Sequence, residues 1–211
     1  MLNIAVLGSG RGSNFAAVLD ALDTERIRGA RIAVVVSNNS TAGILEIAQA
    51  HAIPAVHLSR KQYASDEEFN DAFLALLRAH DTGLIVLAGY MKRLPASVVA
   101  AYRHRIINIH PALLPDFGGQ GMYGIHVHEA VLAAGRTVSG ATVHLVDNEY
   151  DHGAIVLQEQ VQVLPGDTPA SLAERVLHVE HRLLPEAIRL FAEGRLSVVD
   201  GLVHICHSEE H

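Results

Sequence analysis

The chain has 211 residues, of which 49% are hydrophobic and 18% charged, and its formal net charge is −7. That is enough apolar side chain for a large core and too little charge for a disordered chain. The acidic balance, with no block of Lys or Arg, argues against nucleic acid as a partner, because phosphate neutralisation needs a basic face.

Cys206 is the only cysteine, so there is no intrachain disulfide framework, and a reducing, cytoplasmic setting is the natural expectation. The opening Met1-Leu2-Asn3-Ile4-Ala5-Val6-Leu7 is apolar but short and lacks a basic start. It runs directly into a glycine loop, so it reads as a first strand and not as a signal peptide. No run approaches the roughly 20 apolar residues that a membrane span needs.

In chain order, short Val/Ile/Leu runs predict strands at Ile4–Leu7, Arg31–Val36, Ala55–His57, Leu84–Leu87 and Arg105–Asn108. Helical periodicity falls between them at Asn14–Leu22, Ala42–His51 and Asp66–His80. The last of these starts with Ser65 and Glu68 at capping-box spacing, and Phe69, Phe73, Leu74, Leu76 and Leu77 lie mostly on one side. After residue 110 the rhythm changes. A helix is predicted at Val127–Ala134, followed by two β-rich runs, Thr142–Val146 and Ile155–Val163, joined by an acidic turn. A final helix spans Pro169–Ala192, with Thr168 as cap, and Pro185 is expected to kink or split it. Leu196–Val199 and Leu202–Ile205 can form a short strand pair. The alternation predicts an α/β fold. We expect a Rossmann-like, mostly parallel twisted sheet with helices on both faces and an antiparallel C-terminal extension, in a single domain 1–211.

Three segments carry chemistry. Gly8-Ser9-Gly10-Arg11-Gly12-Ser13-Asn14 joins a strand to a helix, where glycines allow close approach and helix-start amides attract anions. A dinucleotide fingerprint would want Gly at position 13 and a carboxylate after the second strand. Here position 13 is Ser and that strand ends Val36-Ser37-Asn38-Asn39, so a phosphate-only site fits better than NAD; a turn without ligand is the bland alternative. In Asn108-Ile109-His110-Pro111, Asn and His leave the same side of an extended chain, and Pro111 stops the strand. An Asn amide and an imidazole there can stabilise an oxyanion or move a proton, or merely satisfy the backbone at a strand end. The turn from Asp147 to Gly153 offers Asp147, Glu149 and Asp151 as partners for such a His, and spacing does not choose among them.

Five pieces together resemble the folate-dependent formyltransferase family, in order and over nearly the whole length. They are Ser9 to Asn14, Leu87-Ala88-Gly89-Tyr90-Met91, Asn108 to Pro115, Val143-His144 with Asp151, and Glu174-Arg175 followed by Glu180-His181. The resemblance is strongest to members that formylate glycinamide ribonucleotide from 10-formyltetrahydrofolate. It implies a phosphate-binding half, 1–100, and a catalytic and folate-binding half, 101–211. Asn108, His110 and Asp151 would be catalytic, with Asp151 keeping His110 charged. Gly12, Ser13, Asn14 and Glu180 would bind the ribonucleotide, and Met91, Lys92, Arg93, Leu94 and His144 the folate. The implied partners are these two small molecules, in a monomer or homodimer with no metal; another amine, such as an amino sugar nucleotide, is the alternative substrate.

The chain departs from the family pattern in having Lys92 between Met91 and Arg93, and Asp66 where an Arg is common. The loop Asp116–Gly124 is long, and its four glycines predict a mobile lid. Of the fourteen histidines, His126 and His128, and His204, Cys206, His207 and His211, come nearest to metal-ligand spacing, but neither set forms a two-plus-two zinc pattern. His126 and His144 could line the site.

Overall fold

The structure is a computed structural model and describes residues 1–206. Seven strands form one mostly parallel sheet in the order β3-β2-β1-β4-β5-β6-β7, with helices around it. Internal contacts divide the chain into two compact units, the first ending at Asn108 and the second starting at Ile109; the expected division lay between residues 100 and 101.

In the first unit, β1 (Leu2–Leu7) pairs in parallel with β2 (Ala30–Ser37) on one side and β4 (Leu84–Leu87) on the other. β3 (Ala55–His57) extends the sheet beyond β2, and β5 (Ile106–His110) pairs with β4 through Asn108. Ile4 to Leu7 and Leu84 to Leu87 are buried along their length, as strands covered on both faces must be. The crossovers are α1 (Ser13–Asp23), α2 (Gly43–Ala50), α3 (Asp66–Ala79) and α4 (Ala96–Ala101). Ser65 caps α3 by accepting the Glu68 amide, as its spacing predicts, while Phe73 and Leu77 form its buried stripe. Helix α4 and a one-turn 3-10 helix at Arg60–Gln62 were not foreseen, since six and three residues are too short to show a period.

Because β1, β2, β4 and β5 run parallel, the loops leaving their carboxyl ends share one edge of the sheet, where α/β folds place ligands. That edge carries the Gly8–Gly12 turn, the Asn38-Asn39 turn, the segment Ala88 to Leu94 and the Asn108 end of β5.

The second unit contains α5 (Ile125–Ala133), then β6 (Val138–Leu145) and β7 (Ile155–Gln162), which pair antiparallel. α6 (Pro169–Ala192) packs on β6, β7 and α5. β8 (Leu196–Val199) and β9 (Leu202–Ile205) make the separate antiparallel hairpin expected of the C-terminal stretch.

Of the kink or split expected at Pro185, the split does not occur: α6 runs unbroken from Pro169 to Ala192. Proline removes one intrahelical bond. However, Pro185 is itself buried among Leu183, Leu184, Ala187 and Ile188, and packing of that apolar face carries the helix through. Thr168 caps the helix through the Ser171 amide, with Pro169 at its first turn.

The turn between β6 and β7 is folded tightly back on its own strand. A Cβ built on Gly153 would lie 1.8 Å from the Leu145 carbonyl oxygen, a backbone atom with no room to retreat. Gly153→Ala is therefore expected to lower the unfolding free energy by about 2–3 kcal/mol. Urea titration measures this, and wild-type stability would mean that the turn has slack.

Candidate active site

Three side chains of the second unit meet. His110 ends β5, His144 lies on β6, and Asp151 sits in the β6–β7 turn. Both imidazoles are buried, at 3% and 2% exposure, so they stay out of water except through what the site admits. His110 Nδ1 is 3.6 Å from Asp151 Oδ2, and His144 Nε2 is 3.5 Å from Asp151 Oδ1. Each ring is oriented by its other nitrogen. His110 Nε2–H donates to the Phe117 carbonyl at 2.8 Å, and His144 Nδ1–H donates to the Leu145 carbonyl at 2.8 Å. The Gly119 amide donates to Asp151 Oδ2 at 3.0 Å.

Local structure explains why these groups converge. The β6–β7 ladder shifts register between Val143 and His144, an irregularity of the kind that re-aims a side chain next to a site. Asp151 adopts φ 53°, a left-handed conformation that Asp tolerates better than most residues. The segment after His110 is bolted to the same two strands. Thr142 Oγ1 donates to the Ala112 carbonyl at 2.6 Å and accepts the Leu114 amide at 3.1 Å. Gln158 Nε2 donates to both the Leu114 carbonyl and Thr142 Oγ1. Neither Thr142 nor Gln158 was singled out from the sequence, because a polar residue on a strand carries no local signal of its partner.

Electrostatics bears on the charge of His110. Burial is the largest influence on His110 and pushes its pKa below the usual 6.5; the Asp151 charge and the Phe117 bond oppose this without overcoming it. Burial thus favours the neutral imidazole, while the Asp151 carboxylate favours the charged one. For Asp151 burial acts to raise the pKa, but the His144 hydrogen bond, the His110 charge and the Gly119 amide outweigh it and keep the carboxyl ionised. His128 on α5 is a further buried imidazole, pushed down to about 4 by burial and by proximity to His110.

In the first unit, Gly12 is the N-cap of α1 with φ 87°, a conformation only glycine adopts without strain. No side chain caps α1 and its first turn holds no acid, unlike α3 with Ser65, Asp66, Glu67 and Glu68. The first-turn amides around Ser13 and Asn14 thus form a positive helix end suited to a phosphate. Met91, Lys92 and Arg93 are exposed on the segment after β4, whereas Leu94 is buried. Glu180 is buried on α6. Asn108 is half-buried on β5, two residues before His110 and on the same side of the strand.

His126 is exposed on α5 and pairs with Glu129 at 3.0 Å, with Tyr123 edge-on to its ring. His51 and His80 occupy the C-caps of α2 and α3. His204 and Cys206 are exposed; His207 and His211 lie outside the described residues. Among the described residues no group of three His, Cys, Asp or Glu side chains is placed to hold a metal ion, and no helix is long and apolar enough to cross a membrane.

Two titrations follow. His110 is expected to titrate below pH 6.5 by proton NMR. Asp151→Asn should lower its midpoint further, because the carboxylate is the main group favouring the imidazolium; a higher midpoint in the variant would contradict the geometry. His128 has a folded pKa below its unfolded one, so its contribution to stability is intact above about 6.5 and declines as pH falls towards 4. Thermal melts of His128→Gln should show a shallower loss of Tm across that window than wild type.

Residues 2–188 match the family model described as formyl transferase. The phosphoribosylglycinamide formyltransferase of Haemophilus influenzae is 38% identical over 206 residues, covering 97% of this chain and 94% of that protein. The chloroplastic phosphoribosylglycinamide formyltransferase of Arabidopsis thaliana is 41% identical over 194 residues, covering 92% of this chain and 66% of that protein. The chain thus spans just under two thirds of that plant relative, and 62% of a second one from Vigna unguiculata. Among solved structures, glycinamide ribonucleotide transformylase 1 from Symbiobacterium toebii superposes with a TM-score of 0.91 at 42% identity, covering 98% of this chain and 95% of its own. With the family model matched over most of its length and relatives aligned nearly end to end, this chain belongs to the formyl transferase family.

Proposed function

We propose that this chain transfers the formyl group of 10-formyltetrahydrofolate to the amine of glycinamide ribonucleotide, a step of purine synthesis, as a cytoplasmic enzyme. The observation that carries the reading is the buried His110–Asp151 pair at the end of β5, on a chain whose full-length relatives are named for this reaction. Phosphate binds at Gly12, Ser13 and Asn14, where an uncapped helix start and a glycine turn supply amides. Glu180 takes the amine or ribose side of the ribonucleotide. Met91, Lys92, Arg93, Leu94 and His144 contact the folate.

The chemistry is an acyl transfer. The amine lone pair attacks the formyl carbon, an N–C bond forms, and the formyl oxygen becomes an oxyanion. The Asn108 amide and the His110 imidazole stabilise that charge. The C–N10 bond then breaks, and the proton lost by the attacking nitrogen goes to N10. A neutral His110 suits this sequence. It does not attract the folate carboxylates before reaction, and the developing oxyanion raises its affinity for a proton when the charge appears. The imidazolium forms when the proton lost by the amine passes to His110, directly or through water; Asp151, 3.6 Å from Nδ1, stabilises it, and the same proton then goes on to N10.

A spectroscopic folate assay with glycinamide ribonucleotide tests the reading. His110→Ala should reduce kcat by about a thousandfold and Asp151→Asn by a hundredfold or more. Undiminished turnover in both variants removes the catalytic assignment. Wild-type turnover confined to a different amine would move the chain to another substrate within the family.

A further inference from the structure

Ser9 occupies the turn after β1, the middle strand of the trio β2-β1-β4. Its hydroxyl is used in both directions. Ser9 Oγ–H donates to Asn38 Oδ1, in the turn after β2, and Ser9 Oγ accepts the Met91 amide at 2.8 Å, in the segment after β4. The backbone of the same residue reinforces both links. The Ser9 amide donates to the Gly89 carbonyl at 3.0 Å, and the Ser9 carbonyl accepts Asn39 Nδ2 at 3.5 Å. A single side chain thus fastens the glycine turn to the two loops that flank it on the carboxyl edge of the sheet.

The chemistry of the group matters. A hydroxyl can donate one hydrogen bond and accept another at the same oxygen, which alanine cannot do. Removing it takes from the exposed Met91 N–H the partner that fixes its place, and a water that replaces the hydroxyl satisfies the amide without holding that segment to the turn. The loss falls on the Met91 segment, while the residue that causes it sits on the Gly8–Gly12 turn.

We propose that Ser9 is a positioning residue that ties the phosphate-binding turn to the folate-lining segment, so that one hydroxyl sets the affinity for both substrates. The inference rests on the ligand assignments above, with phosphate at Gly12 to Asn14 and folate along Met91 to Leu94. It concerns binding, since Ser9 touches none of the proposed reacting groups.

The test measures each ligand separately by calorimetry, with glycinamide ribonucleotide and with tetrahydrofolate, on wild type, Ser9→Ala and Ser9→Thr. Ser9→Ala should weaken both ligands by about 3- to 10-fold, while kcat at saturation changes less than threefold. Ser9→Thr keeps the hydroxyl and should restore both affinities to within about twofold. Amide exchange at Met91 should accelerate in Ser9→Ala alone, with melting curves showing that the variant is folded. Loss of only one affinity, or equal loss in the Thr variant, overturns the tie. If wild type binds both ligands and Ser9→Ala binds them equally well, the tie alone falls. If wild type binds neither, the functional reading falls and the tie with it.

Discussion

A half-buried carboxylate facing two buried imidazoles is the interaction on which the second unit is organised. Withdrawing a charge from water is costly unless hydrogen bonds replace the water, and Asp151 accepts one from the Gly119 amide. Two ring nitrogens and the Gly119 amide surround it, and the balance keeps its carboxyl ionised despite burial. This arrangement constrains the chain around it. The β6–β7 turn must fold back on Leu145, Asp151 must accept a left-handed backbone, and the ladder must shift at His144. Each is a local irregularity that a strand pair without a site would have no reason to keep.

The two units meet different chemical needs by different means. The first offers backbone amides at a glycine turn and a helix start with no side-chain cap, a combination able to hold an anion without burying a charged side chain. The second offers ionisable side chains whose protonation is set by burial and by one another. Proton chemistry needs the second kind of environment, since a solvated histidine would have neither a shifted pKa nor a fixed ring. Simple phosphate anchoring needs only the first.

The glycine-rich loop Asp116–Gly124 divides into a part that bonds to the site residues and a part that faces solvent. Its early part is fastened to the site, with the Phe117 carbonyl on His110 and the Gly119 amide on Asp151. Asp116 is further paired with Arg136 at 2.7 Å. Further along, Tyr123 is exposed and Gly121 and Gly124 take positive φ. The loop expected to be a mobile lid thus bonds, through its first residues, to the imidazole and the carboxylate.

Much of this protein was legible as a string of residues. The parallel strands, the helices over Asp66–Ala79 and Pro169–Ala192, and the C-terminal hairpin follow from periodicity and capping, which are local and act within a few residues. The glycine turn and the Asn108–His110 strand end were visible for the same reason, and motif resemblance supplied Asp151. What only the tertiary structure decided involves residues far apart along the chain. It brought His144 to the second oxygen of Asp151, set Thr142 and Gln158 against the segment after His110, joined Ser9 to Asn38 and Met91, and lowered the pKa of His110 by burial. A pKa depends on how much water the fold excludes, and a hydrogen bond between distant loops depends on strand order. Neither quantity exists until the chain is packed, so neither can be read from spacing.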